Sequence, residues 1–273
     1  MRRYLLFLGA VLSALCLRPA PAVAWGPNAH REVHENAIKT LEGDLEDFYK
    51  DHRFEMPTLA FDDPEFTPVV DETEHHFAVD RLEPFPFLEL PHTEAGLVEE
   101  YGPAVEGIGR LPWLILESFE RLVEAFRGRD KGQILVESDK LAILVTDLHN
   151  PLAVTDNADG QKTGQQGLWT RFSEKLPEAM GGRFDINPDA AHYLDNPRAF
   201  VFSLVNANYI WADNVHYIDE LAYRGKGSYT QIYYESLISR AKLIVNDRYS
   251  EAAGAVGSFW YTAWTDAGRP ELK

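Results

Sequence analysis

The chain has one cysteine, far fewer basic than acidic residues, and no long apolar stretch beyond its first two dozen residues. Cys16 lies in that first stretch, preceded by Leu15 where a lipoprotein signal needs a small residue, so we expect neither a disulfide nor a lipid anchor. Without roughly 20 consecutive apolar residues later on, no transmembrane helix is predicted. Because 43 acidic residues oppose 26 basic ones, stable nucleic-acid binding is not expected. A phosphodiester substrate stays open, since a local cation can outweigh a distant surface field.

The N-terminus has the organisation of a secretory signal. Arg2 and Arg3 precede an apolar run over residues 5–17, and the residues at 22–24, Ala-Val-Ala, match the small-x-small pattern that a signal peptidase cleaves. We therefore predict a signal over residues 1–24, a mature chain that begins at Trp25, and a secreted or periplasmic protein. The remaining residues 25–273 fall within the usual size of one domain and show no internal repeat, so a single domain is predicted.

Apolar residues recur at helical spacing along most of the mature chain. Helices are predicted over residues 29–41, 112–126, 132–148, 168–176, 199–223 and 229–264. Residues 51–92 differ, because six prolines interrupt every apolar run there and favour a long ordered loop of the kind that often carries a site. Strand signals are sparse. The pattern predicts an all-α domain with one long proline-rich loop.

Two parts of the sequence offer metal-ligating groups before residue 80. His30 follows Trp25 by five residues, so its imidazole and the amine and carbonyl of an N-terminal Trp25 could grip one ion; for His34, one turn later, we favour a polar surface role. His75 and His76 close the proline-rich loop, and His76 is the stronger candidate because the apolar residue after it would bury it. Imidazole together with carboxylate suits zinc. The carboxylates would come from three preceding aspartates, each more often merely solvated: Asp62, Asp63 and Asp71.

An aspartate stands inside the apolar end of the helix predicted over residues 132–148. Burying Asp147 there would be costly unless it were paired or metal-bound, so we interpret it as functional or salt-bridged and favour the first. His149 lies two residues further on, off the face of Asp147, and is interpreted as a helix-end residue. For His216, on a later predicted helix, we favour a core or surface role.

Several segments together resemble the zinc-dependent phospholipase C and fungal single-strand nuclease superfamily. They are Trp25 with His30, the loop ending in His75-His76-Phe77, the helix end at 146–152, the loop at 156–161, and the closing stretch at 260–268, which is similar to bacterial members. The resemblance covers nearly all of the mature chain, in order. It implies an all-α fold that holds three zinc ions, which activate water to attack a phosphodiester.

Four positions depart from the pattern of that superfamily. The pattern places histidines where this chain has Ile143, Ala153 and Trp169, and an acid where it has Ser173. None of these four side chains can replace the missing ligand at zinc. The resemblance therefore leaves a reduced set of metal ligands, which predicts one zinc ion, or two at most, and not the full cluster: Trp25, His30, Asp62, Asp63, His76 and Asp147.

Three functions are consistent with these residues. The first is a pseudoenzyme that keeps the phospholipase C and nuclease scaffold and binds rather than cleaves, with a phosphoester or a lipid headgroup as candidate ligand. The second is an active metal-dependent phosphoric diester hydrolase in which His30, His76 and Asp147 hold one or two ions. The third is a structural scaffold. In the superfamily pattern, Ala153, Trp169 and Ser173 occupy all three side-chain ligand positions of one zinc, and this joint loss favours the first.

Overall fold

The computed structural model describes residues 24–60 and 75–272. Within these two ranges the chain is helical and has no β-strand, which confirms the prediction of an all-α protein. The predicted signal, except for Ala24, lies outside the described residues, as do Asp62, Asp63 and Asp71. The described α-helices are α1 (Pro27–Ile38), α2 (Gly43–His52), α3 (Pro57–Ala60), α4 (Glu94–Tyr101), α5 (Leu111–Gly128), α6 (Lys131–Leu148), α7 (Leu168–Thr170), α8 (Leu176–Met180), α9 (Pro197–Tyr223) and α10 (Gln231–Asp266).

Short helical turns connect several of these elements. A π-helical turn, Arg171–Lys175, joins α7 to α8, so the helix predicted over residues 168–176 is one continuous helical segment that extends to Met180. Turns of 3-10 helix lie at Arg53–Glu55, Val79–Arg81, Gly102–Val105 and Pro151–Val154. The polar stretch 156–167 forms turns and no helix.

The prediction of one loop over residues 51–92 is wrong at its start. Residues 51–60 contain the end of α2, a 3-10 turn and α3, with only Met56 between the last two. Pro57 does not interrupt helix here, since it is the first residue of α3, where the missing N–H of proline leaves no hydrogen bond unmade. Beyond residue 74 the chain is irregular up to α4, apart from the turn at Val79–Arg81.

The packing of the helices follows from their length and the short links between them. Only Arg129 and Asp130 separate α5 from α6, so the two helices fold back as an antiparallel pair. Asp130 caps α6 by accepting a hydrogen bond from the backbone N–H of Gln133 at 3.1 Å. Against this pair lies α10, which at 36 residues is about 54 Å long and also contacts α1 and α9. No described helix is both long and apolar enough to cross a membrane.

Candidate functional site

Two histidines converge on one buried aspartate at the end of α6. His30 Nε2 lies 2.8 Å from Asp147 Oδ1, and His75 Nδ1 forms a short hydrogen bond with Oδ2 of the same carboxylate. The exposed fraction is 2% for His30, 1% for His75 and 0% for Asp147. Both carboxylate oxygens therefore have an imidazole partner in the protein interior. We call His30, Asp147 and His75 the His–Asp–His cluster.

The first histidine of the cluster is held by the start of α1. Pro27 occupies the first position of the helix, and the Trp25 ring just before it is fully buried against Phe172 and Tyr249, with ring centroids 5.5 and 5.1 Å apart. The backbone N–H of Gly26 donates to the carbonyl of Ser173 at 3.0 Å. These contacts fix the entry of the chain into α1.

A side-chain amide ties the same N-terminal segment to the end of α6. Asn150 Nδ2 donates to the Ala24 carbonyl and, at 2.8 Å, to the Ser173 hydroxyl. Its Oδ1 accepts from the backbone N–H of Leu152 at 3.0 Å, which starts the turn after α6. The segment around Trp25 and the helix end that carries Asp147 are thus bonded to each other.

Backbone hydrogen bonds position the second histidine of the cluster. The Phe77 N–H donates to the Ala153 carbonyl and the Ala78 N–H to the Ile108 carbonyl, each at 2.7 Å. At Gly109, which has φ +88°, a Cβ atom would lie 2.0 Å from the carbonyl oxygen of the residue before Phe77, so only glycine permits this close approach. The segment that carries His75 is clamped between two other parts of the chain.

The structure brings His75, and not His76, to Asp147. The sequence argument had favoured His76 because Phe77 would bury it. Phe77 is indeed fully buried, against Trp113 and Phe202, but its neighbour His76 is only partly buried, and its carbonyl accepts from the Leu111 N–H at 3.3 Å. Among the described residues, the imidazole that this segment supplies to Asp147 is therefore that of His75.

The histidine neighbours set the charge state of Asp147. Burial by itself would raise the pKa of this carboxyl, but His30 and His75, through charge and hydrogen bonds, outweigh burial and hold its pKa below the usual range. The carboxylate is therefore ionised at neutral pH in a site without solvent access. Such a charge is tolerable in a protein interior only because both oxygens are paired.

A second buried histidine and aspartate lie further along the same two helices. His34 is fully buried, so the prediction of a surface role for it is wrong; its Nδ1 donates to the His30 carbonyl at 2.7 Å, and its Nε2 lies 3.4 Å from Asp139 Oδ1. Asp139 also accepts from the backbone N–H and the hydroxyl of Thr58, at 3.0 and 3.1 Å. Since His30 faces Asp147 and His34 faces Asp139, α1 and α6 run antiparallel with two His–Asp contacts between them.

The residues at the four positions that depart from the superfamily pattern pack in the interior or form hydrogen bonds. Ile143 and Ala153 are buried apolar residues, and Ser173 is buried with its hydroxyl bonded to the Asn150 amide. Trp169 is partly buried and packs against the hydrophobic core, while its backbone N–H donates to Asp159 at 3.1 Å. None of these side chains faces the cluster with a donor atom that a metal could use.

The remaining candidate histidines have local partners. His149 follows α6, as predicted for a helix-end residue, and its Nδ1 donates to the Val145 carbonyl at 2.7 Å. The His216 ring lies within hydrogen-bonding distance of the carbonyls of Ala212 and Asn157, at 2.7 and 2.9 Å. Neither ring reaches Asp147 through a hydrogen bond in the described part of the chain.

The donor chemistry of the cluster suits zinc, but its hydrogen bonds compete with an ion. Imidazole and carboxylate are suitable ligands, yet one nitrogen of each imidazole bonds directly to a carboxylate oxygen, so an ion between them would have to displace these hydrogen bonds. Over residues 24–60 and 75–272, no group of three or more His, Cys, Asp or Glu side chains is arranged to hold a metal ion. The described residues do not by themselves form a zinc site.

Comparison with known proteins does not add a family to this picture. No protein-family model matches the chain, and no curated protein sequence matches it significantly.

Proposed function

We propose that this protein is an exported, non-catalytic relative of the zinc-dependent phospholipases C and single-strand nucleases, in which the former metal centre is part of the hydrophobic core. The observation that carries the proposal is the His–Asp–His cluster, whose two carboxylate oxygens are each bonded to an imidazole in a site with almost no exposed surface. Its ligand, a phosphoester or a lipid headgroup in the first instance, would bind outside the buried cluster and would not be cleaved.

The burial of the cluster supports a structural role. Hydrolysis of a phosphodiester needs a nucleophilic water and positive charge beside the phosphorus, and both must reach the substrate. Asp147 has no exposed surface, and both of its carboxylate oxygens are already bonded to His30 and His75. The cluster therefore presents no exposed group that an incoming phosphate could bind.

The packing around the four missing ligand positions also supports a non-catalytic protein. Ile143 and Ala153 contribute apolar surface to the interior, and a histidine at either position would bring a polar ring into a tightly packed region. Ser173 and Asn150 bond to each other and to the N-terminal segment. These replacements are compatible with one another, as expected for a core that has been repacked after the ligands were lost.

The direct test measures phosphodiester hydrolysis by the exported protein with saturating zinc. Substrates are bis(p-nitrophenyl) phosphate, phosphatidylcholine vesicles and single-stranded DNA, and the background is set by Asp147→Ala. We expect the wild type to show no turnover above this variant. Loss of about 4 kcal/mol of transition-state stabilisation already slows a reaction roughly a thousandfold, and loss of a whole set of ligands removes at least that much.

A second variant extends the test to the missing ligands. It carries Ile143→His, Ala153→His, Trp169→His and Ser173→Glu, and zinc-dependent turnover by it alone would show that those positions are what the wild type lacks. Zinc-dependent turnover by the wild type that disappears in Asp147→Ala would overturn the proposal and establish the active hydrolase with one or two ions.

A further inference from the structure

The outer side of α9 and α10 carries a group of exposed large apolar side chains. Ile210 and Tyr217 of α9 are 51% and 58% exposed, and Ile232 and Leu243 of α10 are 65% and 79% exposed. Residues seven or eleven positions apart lie on the same face of a helix, so each pair forms one line along its helix. Single exposed apolar residues are common on proteins, but a group of them marks an interaction surface.

The two lines of apolar side chains lie side by side. The helices are antiparallel neighbours, joined at one level by Arg248, which donates to Asn208 Oδ1 at 3.0 Å, and at another by Tyr233, whose hydroxyl donates to Asp219. These four side chains are buried and point towards the neighbouring helix, so they leave the exposed lines together on the outer side. The two contacts also fix the register of the pair, because residue 208 is level with residue 248 and residue 219 with residue 233. We call this outer side the α9–α10 face.

The charges of the α9–α10 face are balanced, unlike those of the whole chain. Residues 210–243 contain four acidic and four basic side chains, whereas the chain has 43 acidic and 26 basic residues. Two copies of the chain therefore repel each other over most of their surface, but not at this face.

Two of these charges lie on opposite edges of the face. Asp213 is on the edge formed by α9 and Lys242 on the edge formed by α10; both are exposed, and neither has an ion pair among the described residues. The register of the helices puts residue 213 level with residue 242. A second copy turned by a two-fold axis parallel to the helices would bring each lysine opposite the aspartate of the other copy.

We propose that the α9–α10 face is the interface of a homodimer, in which α9 of each copy lies on α10 of the other. Leu243 of one copy then lies between Ile210 and Tyr217 of the second copy, and Lys242 lies opposite Asp213 of the second copy. Each contact occurs twice, because a two-fold interface uses the same surface of both copies. The apolar lines are removed from water and both unpaired charges gain a partner. The dimer does not depend on the function proposed for the His–Asp–His cluster.

Analytical ultracentrifugation of the exported protein tests whether the dimer forms. We expect a reversible monomer–dimer equilibrium with a dissociation constant of about 1–100 μM, because two helices from each copy make an interface at the small end of specific ones. No larger species is expected, since a two-fold interface closes on itself. A protein that stays monomeric up to about 1 mM would overturn the proposal.

Two leucines of nearly equal exposure provide matched variants. Leu243→Asp should weaken the dimer at least about tenfold, while Leu88→Asp, at a leucine outside the face that is 80% exposed, should leave the dimer unchanged. Both side chains lie outside the core, so both variants should fold. Equal weakening by the two changes would contradict the assignment of the face. So would a monomeric protein that binds phosphatidylcholine vesicles through Leu243, because the face would then contact a membrane.

Charge reversal tests how the two copies are oriented. Lys242→Glu puts like charges opposite each other twice and should weaken the dimer about tenfold, as should Asp213→Lys. The variant with both changes has opposite charges at these positions again, and we expect it to dimerise within about threefold of the wild type. If the double variant were as weak as the two single variants together, the proposed pairing of the helices would be wrong.

Discussion

At the scale of single residues, Asp147 is the charge on which the packing of three chain segments depends. Its carboxylate is fully buried and bonded to His30 from α1 and to His75 from the segment before Phe77. Removal of one member of a buried charged pair leaves its partners desolvated and unpaired, which typically costs about 3–5 kcal/mol. We expect Asp147→Ala to lower the free energy of unfolding by this amount in urea denaturation at pH 7.

The matched control for this substitution is Asp195→Ala. Asp195 is exposed, and a surface change of this kind is expected to alter stability by no more than about 0.5 kcal/mol. If Asp147→Ala were as mild as the control, the carboxylate would not be a structural charge, and the interpretation of the cluster as part of the core would be wrong.

The buried ring of His149 makes stability depend on pH. Because burial and Arg248 lower its pKa from 6.5 to about 4, the unfolded chain binds a proton at His149 between these values and the folded chain does not. The stabilising contribution is therefore complete above about pH 6.5 and declines as the pH falls towards 4, by about 3 kcal/mol in total. We expect His149→Gln to flatten the fall in unfolding free energy over this interval. His192→Gln, at an exposed histidine, should leave the slope unchanged, and an equal slope in all three proteins would contradict the assignment.

Single residues of the cluster and its neighbours differ in how well the sequence alone predicts their partners. Asp147 could be found because an acid in an apolar helix end must have a partner. The preference for His76 over His75 as the partner had no periodicity behind it, since the partner of Asp147 depends on which side of an irregular segment faces α6. His34 and Asp139 look like ordinary polar helix residues until α1 and α6 are packed against each other.

At the scale of elements, the packing of α10 against the end of α1 depends on one glycine. A Cβ atom at Gly257 of α10 would lie 1.9 Å from Thr40 Oγ1, just after α1. We expect Gly257→Ala to destabilise the protein by about 1–3 kcal/mol despite the better helix propensity of alanine, because the helices must move apart. Thermal unfolding measures the change.

A second glycine of α10 provides the matched control. At Gly254 the nearest atom to an added Cβ is the Asp189 carbonyl oxygen at 3.5 Å, an ordinary contact. Gly254→Ala should therefore gain about 0.5–1 kcal/mol from helix propensity alone. A loss of stability in both variants, or in neither, would show that close approach at residue 257 is not what selects glycine there.

The sequence predicted the long helices better than the short ones. The patterns at 112–126, 132–148, 199–223 and 229–264 match α5, α6, α9 and α10 to within two residues at each end, because a buried stripe on a long helix leaves a clear period. The elements α2, α3 and α4 were missed. They are short, and Pro57, interpreted as an interruption, is in fact a helix start.

At the scale of the whole molecule, the tertiary contacts unite the motifs that the sequence analysis had singled out one by one. The segment at Trp25, the start of α1, the segment at His75 and the end of α6 all meet around Asp147. The resemblance to the superfamily implied a shared site for them, but how the residues at 143, 153, 169 and 173 pack can be seen only in three dimensions. In the structure these residues are core and hydrogen-bonded parts of the fold.

The proposed function requires that the His–Asp–His cluster be a hydrogen-bonded part of the core and not a zinc centre. Its most direct test is the zinc content per chain of the wild type and of Asp147→Ala, each purified without added zinc or chelator and measured by elemental mass spectrometry. We predict the same zinc content in both proteins, because no ion depends on Asp147. Zinc that is bound by the wild type and lost in Asp147→Ala would contradict the account.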